Sequence, residues 1–112
     1  YAEMKDSKRR VILCHYPVFC YHGQYRKDAK GQDHVYMLYG HVHDSFDEKL
    51  VSRFVKETQE TKRVNLHSQV EEPIPCNMLN CFCMYSDYEP LSLDEWIENN
   101  RKRRAQQNIM AR

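Results

Sequence analysis

Two histidines two residues apart, His41 and His43, are the part of this sequence best suited to bind a metal ion. They follow Gly40 and the apolar run 35–39, which predicts a buried strand over residues 34–40. Ligands of open α/β sheets bind beyond the carboxyl ends of the strands, where these imidazoles would lie. Neutral imidazole is the commonest zinc ligand and also suits iron and nickel. We expect Gly40 to let the backbone turn tightly or pack closely.

A second histidine follows another apolar run. Residues 11–15 read Val-Ile-Leu-Cys-His, and their uninterrupted apolar character predicts a strand buried on both faces that delivers His15 to its carboxyl end. Pro17 ends this strand because proline cannot donate to a ladder. Two strands that each deliver a histidine to the same edge give the geometry of a metal site. We therefore expect His15, His41 and His43 to converge.

Four segments in this order resemble the closing motifs of the calcineurin-like metallophosphoesterases. They are His15-Tyr16-Pro17, Leu38-Tyr39-Gly40-His41-Val42-His43, residues 80–84 and Pro90-Leu91-Ser92-Leu93-Asp94-Glu95. The resemblance covers roughly residues 10–98, and the Gly-His-x-His motif is its most specific part.

The resemblance implies metal-dependent phosphoester hydrolysis at a centre of two divalent ions, which would be Mn, Fe or Zn. It also implies an α/β fold, namely part of a four-layer α-β-β-α sandwich. His15 and His41 would bind one metal and His43 the other, and none of the family's catalytic residues matches a position here. The substrate would be a phosphorylated small molecule or a nucleotide.

The carboxylates that the family uses to bridge its metals have no counterpart in this sequence. It contains no Asp-x-His, Gly-Asp-x-x-Asp or Gly-Asn-His segment, and Asp33 and Asp44 do not match them in order or neighbours. Histidines alone leave the repulsion between two cations unrelieved. We therefore interpret residues 1–112 as the carboxyl-terminal portion of one catalytic domain, inactive without the missing amino-terminal half of that domain.

Residues 18–33 form a long connection between the two strands that carry histidines. Long loops beside strand ends are often functional, which makes Tyr21 and His22 candidates for substrate binding, with Tyr25 and Arg26 beside them. The alternative is a surface loop whose tyrosines pack on the protein. The sequence does not decide between them.

Composition limits the function classes. A chain of 112 residues suffices for one small domain, and a net charge of +1 gives no field that favours nucleic acid or an acidic membrane. The basic run at 101–104 is typical of a solvated helix end rather than a nucleic-acid site. No apolar run approaches the ~18 residues of a membrane helix. The five cysteines, an odd number, argue against a disulfide framework and favour a reducing, cytoplasmic compartment.

Two helices are predicted by their start signals. Ser45 and Glu48 fit a capping box for a helix to about residue 59, as Ser92 and Glu95 do for a helix that continues through 104. Apolar residues at helical spacing should face the core. They are Phe46, Leu50, Val51, Phe54 and Val55 in the first helix and Leu93, Trp96 and Ile97 in the second.

The remaining segments complete an alternating pattern that indicates α/β. Residues 78–84 predict a third strand, in which Cys81 and Cys83 would be buried. Residues 64–70 alternate weakly and suit a short edge strand. Residues 1–9 are polar and read as a linker or the end of a preceding helix.

A different class of function is a non-catalytic metal-binding or interaction module. His15, His41 and His43 would then hold one zinc ion with water in the fourth position. A third alternative is an inactive remnant that packs on another subunit. His67 matches no motif, and we expect it to be exposed or structural rather than a ligand.

Overall fold

A computed structural model describes the backbone of residues 1–110 and the side chains of residues 1–107. Its strands are β1 (Ala2–Asp6), β2 (Arg9–Leu13), β3 (Val35–Tyr39), β4 (Lys62–Val64), β5 (Glu71–Pro73) and β6 (Met78–Asn80). Its helices are α1 (Phe46–Glu60) and α2 (Leu93–Met110), with a short 3-10 turn at Cys83–Ser86.

The main sheet has the order β1-β2-β3-β6. β2, β3 and β6 run parallel to one another, whereas β1 is an edge strand that pairs antiparallel with β2. Leu13 pairs with Leu38, and Tyr39 pairs with Asn80, so the three parallel strands end at one edge of the sheet. β4 and β5 form a separate antiparallel hairpin.

Each face of the sheet is covered by one helix. Ile12, Met37 and Met78 pack with Val51 and Val55 of α1 on one side. On the other side the sheet packs against α2, through a cluster formed by Val11, Leu79, Leu93 and Trp96. Successive strand residues point to opposite faces, which explains the unbroken apolar runs. The α/β prediction is therefore confirmed, as a mixed sheet between two helices, and the part of the chain described here contains no second large sheet.

The amino-terminal segment is a strand, not the linker or helix end that its polarity predicts. All five residues of β1 are exposed, and Ala2 to Asp6 pair with Leu13 to Arg9 through the backbone. Because neither face of β1 is buried, its sequence carries no hydrophobic alternation, and the pattern that reveals most strands is absent.

The first helix begins where predicted, but its capping box does not form. The Ser45 hydroxyl donates to the Val42 carbonyl at 2.5 Å, and it makes no cap hydrogen bond. Phe46 and Leu50 are 67% and 42% exposed, so their predicted burial is wrong, while Glu48 is fully buried. The face of α1 that meets the sheet therefore contains a carboxylate.

The third strand is shorter than predicted. β6 stops at Asn80, whose side-chain oxygen accepts the Phe82 N–H at 2.9 Å and turns the chain. Cys81 is half-buried and Cys83 is exposed, so the predicted burial of Cys83 is wrong. All five cysteines are free thiols.

The second capping box forms as predicted. The Ser92 N–H donates to Glu95 Oε1 at 2.9 Å, and the Glu95 N–H donates to the Ser92 hydroxyl at 3.2 Å. Leu93 and Trp96 are buried, as their spacing predicts. Within the described residues, neither helix is both long enough and apolar enough to cross a membrane.

The basic run is only partly a solvated helix end. Arg101 is exposed and pairs with Glu98 of its own helix at 2.5 Å. Arg103 and Arg104 instead reach the buried carboxylate of Glu48, at 2.8 and 3.7 Å. The interpretation as a solvated end is therefore wrong for these two arginines, which connect α2 to α1.

Candidate functional site

Two of the three predicted metal ligands meet at the carboxyl edge of the sheet. His15 Nε2 lies 3.2 Å from His41 Nδ1, and both residues are exposed. The Gly40 N–H donates to the His15 carbonyl at 2.9 Å, which ties the segment after β2 to the end of β3. The ring of Tyr16 lies against both imidazoles, with centroids 5.0 Å from His15 and 4.6 Å from His41. We call His15 and His41 the histidine pair.

The third histidine makes different contacts. The imidazole of His43 stacks on Phe82, with ring centroids 4.6 Å apart and an interplanar angle of 10°. The His43 carbonyl accepts a hydrogen bond from the Asn80 side-chain amide at 2.9 Å. Among the described residues, no group of three or more His, Cys, Asp or Glu side chains is placed to hold a metal ion. The binding of metal by His15, His41 and His43 stays a prediction.

The backbone of this loop is strained at the histidines rather than at the glycine. His41 and His43 adopt left-handed φ values of 60° and 49°. This conformation costs a non-glycine residue about 1–2 kcal/mol. A Cβ on Gly40 would meet only the backbone oxygen and Nδ1 of His15, both at 3.8 Å, which is ordinary contact. The expected requirement for glycine at position 40 is therefore wrong, and the strain lies on the residues that carry the imidazoles, as is common at functional sites.

A buried amide pair supports the loop from beneath. Asn80 is fully buried, and its N–H donates to Asn100 Oδ1 at 2.8 Å. Asn100 returns a hydrogen bond from its side-chain nitrogen to the Asn80 carbonyl at 3.1 Å. Sequence reasoning assigned no role to Asn100. The available signal was its helical spacing, since Asn100 lies one turn after Trp96 and two turns after Leu93, which are both buried.

The spacing of the histidine pair suits one metal ion but not two. Two ligands of a tetrahedral zinc ion, with bonds of about 2.0–2.1 Å, lie about 3.3 Å apart. The observed 3.2 Å between His15 Nε2 and His41 Nδ1 agrees with that separation. A neutral imidazole can also donate its N–H to the other ring at this distance. A two-metal centre would need bridging carboxylates, and the described residues contain no ligand cluster that supplies them.

The two predicted substrate-binding residues lie elsewhere. Tyr21 is 3% exposed, and its hydroxyl accepts the Asn77 N–H at 2.7 Å. Burial raises the pKa of the Tyr21 phenol, so this side chain stays neutral in the core. His22 is exposed, and its Nδ1 lies 2.8 Å from Glu3 Oε1 on β1. The structure does not place either residue against the histidine pair, and their contact with substrate stays a prediction.

An apolar groove opens beside His15. It has a volume of about 530 Å³ and is lined in part by Leu13, Leu38, Cys81 and Trp96. The groove lies on the face of the sheet that α2 covers. α2 therefore leaves part of that face accessible next to the histidine pair.

The chain matches no family model, and no curated protein or solved structure is significantly similar to it. The link to the calcineurin-like metallophosphoesterases therefore rests on the sequence motifs alone.

Proposed function

We propose that this chain is the carboxyl-terminal portion of a metallophosphoesterase catalytic domain and that the histidine pair contributes to a divalent metal site. The observation that carries the proposal is the 3.2 Å separation between His15 Nε2 and His41 Nδ1 at the ends of β2 and β3. His43 would bind a second ion after its imidazole leaves Phe82. The other ligands, including the bridging carboxylates, would come from the amino-terminal half of the domain.

The chemistry would belong to the complete domain. Two divalent ions, when bound, activate a hydroxide and stabilise charge on the phosphoryl oxygens. This chain would contribute imidazoles held by the Gly40–His15 backbone hydrogen bond and by the ring of Tyr16. The substrate class in this proposal is a phosphorylated small molecule or a nucleotide.

The proposal also accounts for the uncovered part of the sheet. The groove beside α2 exposes apolar side chains of Leu13, Leu38 and Cys81 next to His15. In a four-layer α-β-β-α sandwich a second sheet would pack on this face of the sheet, so the proposal requires α2 to cover less of that face in the complete domain than it does here. The strand ends of that second sheet would supply the remaining ligands close to the histidine pair.

Metal titration of the purified chain tests the proposal. We expect one Zn²⁺ or Co²⁺ ion to bind, as measured by calorimetry and by the visible absorption of cobalt. His15→Ala and His41→Ala should each weaken binding about 10–100-fold or more, because even changes in the residues that orient ligands have effects of this size. His67→Ala is the matched control, since His67 is also exposed but lies in the connection between β4 and β5, away from the histidine pair.

Circular dichroism should show that all three variants fold. Equal binding by the wild type, His41→Ala and His67→Ala would contradict the assignment of the histidine pair as ligands. The competing function is a non-catalytic metal-binding module. It would be favoured if metal binding depends on His15 and His41 but the chain does not hydrolyse phosphoesters even together with the amino-terminal half of the domain.

A further inference from the structure

A second groove lies between the loop after β2 and the β4–β5 hairpin. It has a volume of about 740 Å³, and its walls include Gln24, Tyr25, Arg26, Lys27, Arg63 and His67. We call it the arginine groove. None of the histidines assigned to the metal site lines it.

The arginine groove lies toward the amino-terminal edge of the sheet. The methyl group of Val35, the first residue of β3, lies 3.2 Å from the position of a Cβ on Gly23. Gln24 donates from its side-chain nitrogen to the Pro75 carbonyl at 2.8 Å, just before β6 begins. The histidine pair lies beyond the opposite ends of the same strands. The two sites are therefore separated by the length of the sheet.

Cations outnumber the carboxylates available to them in this groove. Arg26 and Arg63 have no carboxylate within 4.0 Å in the part of the chain that the structure describes, whereas Lys27 Nζ lies 3.7 Å from Asp33 Oδ1. Glu72 is the cross-strand partner of Arg63, but its Oε1 accepts the Asn65 side-chain amide at 2.6 Å. Two guanidinium groups thus remain available to an anion.

One of these guanidinium groups is held in place by an aromatic ring. The Arg63 guanidinium carbon lies 4.0 Å from the centroid of the Tyr25 ring. Stacking on an aromatic face fixes the plane of a guanidinium and leaves its N–H edge available for a bidentate contact. Phosphate oxygens match that edge in geometry and charge.

A buried acceptor without a partner lies behind the wall of the groove. Gln24 is 4% exposed, and its Oε1 has no hydrogen-bond partner within the described residues. The orientation of this amide follows from the Pro75 carbonyl, which requires the nitrogen as its donor. Buried acceptors are seldom left unpaired. This oxygen is closed to solvent, so a ligand satisfies it only by displacing the side chains that cover it and then donating an N–H or O–H to Gln24.

We propose that the arginine groove binds a phosphate monoester that also carries a hydrogen-bond donor, such as a nucleoside monophosphate. Its phosphate contacts Arg26 and Arg63, and its N–H or O–H donates to Gln24 Oε1. This site does not depend on the metal site or on the proposed hydrolysis.

Titration of the purified chain with adenosine monophosphate, monitored by calorimetry and by amide shifts in NMR spectra, tests the proposal. Adenosine monophosphate should bind more tightly than either adenosine or inorganic phosphate, and added salt should weaken its binding. The double variant Arg26→Gln/Arg63→Gln should bind at least about 10-fold more weakly, because two charge-assisted contacts are lost. The amide shifts should fall on residues 23–27 and 63–67.

Two controls make the result specific. Arg53→Gln removes an exposed arginine of α1 that does not line the groove, and it should leave the affinity unchanged. His41→Ala should also bind adenosine monophosphate like the wild type, whatever its effect on metal binding. Failure of adenosine monophosphate to bind, equal binding of adenosine, or equal affinities of the double variant and Arg53→Gln would overturn the proposal. Loss of binding in His41→Ala would also overturn it, since the ligand would then lie at the histidine pair.

Discussion

At the residue scale, the burial of Glu48 is the feature that the sequence predicts least well, since its neighbours indicate a carboxylate that caps a helix. It is fully buried, accepts the Tyr39 hydroxyl, and lies 2.8 Å from Arg103 Nη2 and 3.7 Å from Arg104 Nη2. Ser52 also donates to Glu48, at 3.3 Å. A buried ion pair is weak evidence of stability, but removal of one partner leaves the other charge without compensation.

We predict that Glu48→Gln destabilises the chain by about 3–5 kcal/mol, because Arg103 and Arg104 then lose the buried anion that both of them reach. Asp47→Asn is the matched control, since Asp47 lies beside Glu48 in the first turn but is exposed. Urea unfolding of both variants measures the difference. A loss for Glu48→Gln no larger than that for Asp47→Asn would show that the buried contacts contribute little.

His41 is the residue at which the proposed metal site and backbone strain coincide. Its φ of 60° is easy for glycine and costly for other residues. We predict that His41→Gly is more stable than His41→Ala by about 0.5–1 kcal/mol, after allowance for the greater freedom of glycine in the unfolded chain. Thermal unfolding of the two variants provides the measurement. Equal stability, or greater stability of His41→Ala, would mean that position 41 relaxes out of the left-handed region.

At the element scale, the two predicted capping boxes had opposite outcomes for one physical reason. The box at Ser92 and Glu95 forms because both side chains are exposed and, within the described part of the chain, no other side chain competes for them. Glu48 cannot reach back to Ser45, because Arg103 and Arg104, which are distant in sequence, bind its carboxylate in the core. A capping signal in the sequence therefore predicts the cap of a helix correctly only where the same side chain makes no competing tertiary contact.

The same distinction explains how much of the fold and site the sequence predicts. β2, β3 and both helices follow from apolar runs and periodicity, whereas β1 is held by backbone pairing that leaves no side-chain signal. The proximity of His15 and His41 follows from their positions after adjacent parallel strands. The direction of His43 does not, since it depends on left-handed φ values and on stacking against Phe82.

The capping box of α2 gives a prediction at this scale. Ser92→Ala should destabilise the chain by about 1 kcal/mol, the usual effect of losing a cap side chain. Hydrogen bonding to the Ser92 N–H lowers the pKa of Glu95 below its ordinary 4.5. The stabilisation of the fold by Glu95 is therefore fully present at pH values above 4.5 and is lost as the pH falls through the lowered pKa.

Thermal unfolding of the wild type and Glu95→Gln over a pH series checks the titration. We expect the difference between them to be largest near neutral pH and to shrink at acidic pH, where Glu95 is protonated in both states. A difference that grows on acidification would contradict the predicted sign.

At the scale of the whole molecule, the two candidate sites lie at opposite edges of one sheet. The histidine pair follows β2 and β3, whereas the arginine groove lies near the start of β3 and β6. The apolar groove beside α2 adjoins only the histidine edge. An additional sheet packed there would leave the arginine groove uncovered, so the phosphate monoester proposed for this chain would still have access to the groove in the full domain.

The small number of metal-ligating side chains that lie together limits what the chain can catalyse alone. Two imidazoles lie within reach of one ion, and the described residues contain no cluster of three ligating side chains. Two divalent cations close together repel strongly unless anionic ligands lie between them. We therefore predict that the purified chain does not hydrolyse p-nitrophenyl phosphate or its bis ester with added Mn²⁺, Fe²⁺ or Zn²⁺.

We expect hydrolysis once the proposed amino-terminal half is supplied by co-expression or fusion. Variants of two exposed histidines, His41 and His67, can then be compared in the active protein. His41→Ala should reduce turnover far more than His67→Ala, even with excess Mn²⁺, because lost coordination misplaces the ion as well as weakening its binding. Folding of both variants is checked by circular dichroism. Hydrolysis by the isolated chain that His41→Ala abolishes would show that this chain is a complete enzyme, since no carboxylate from a second segment would then be required.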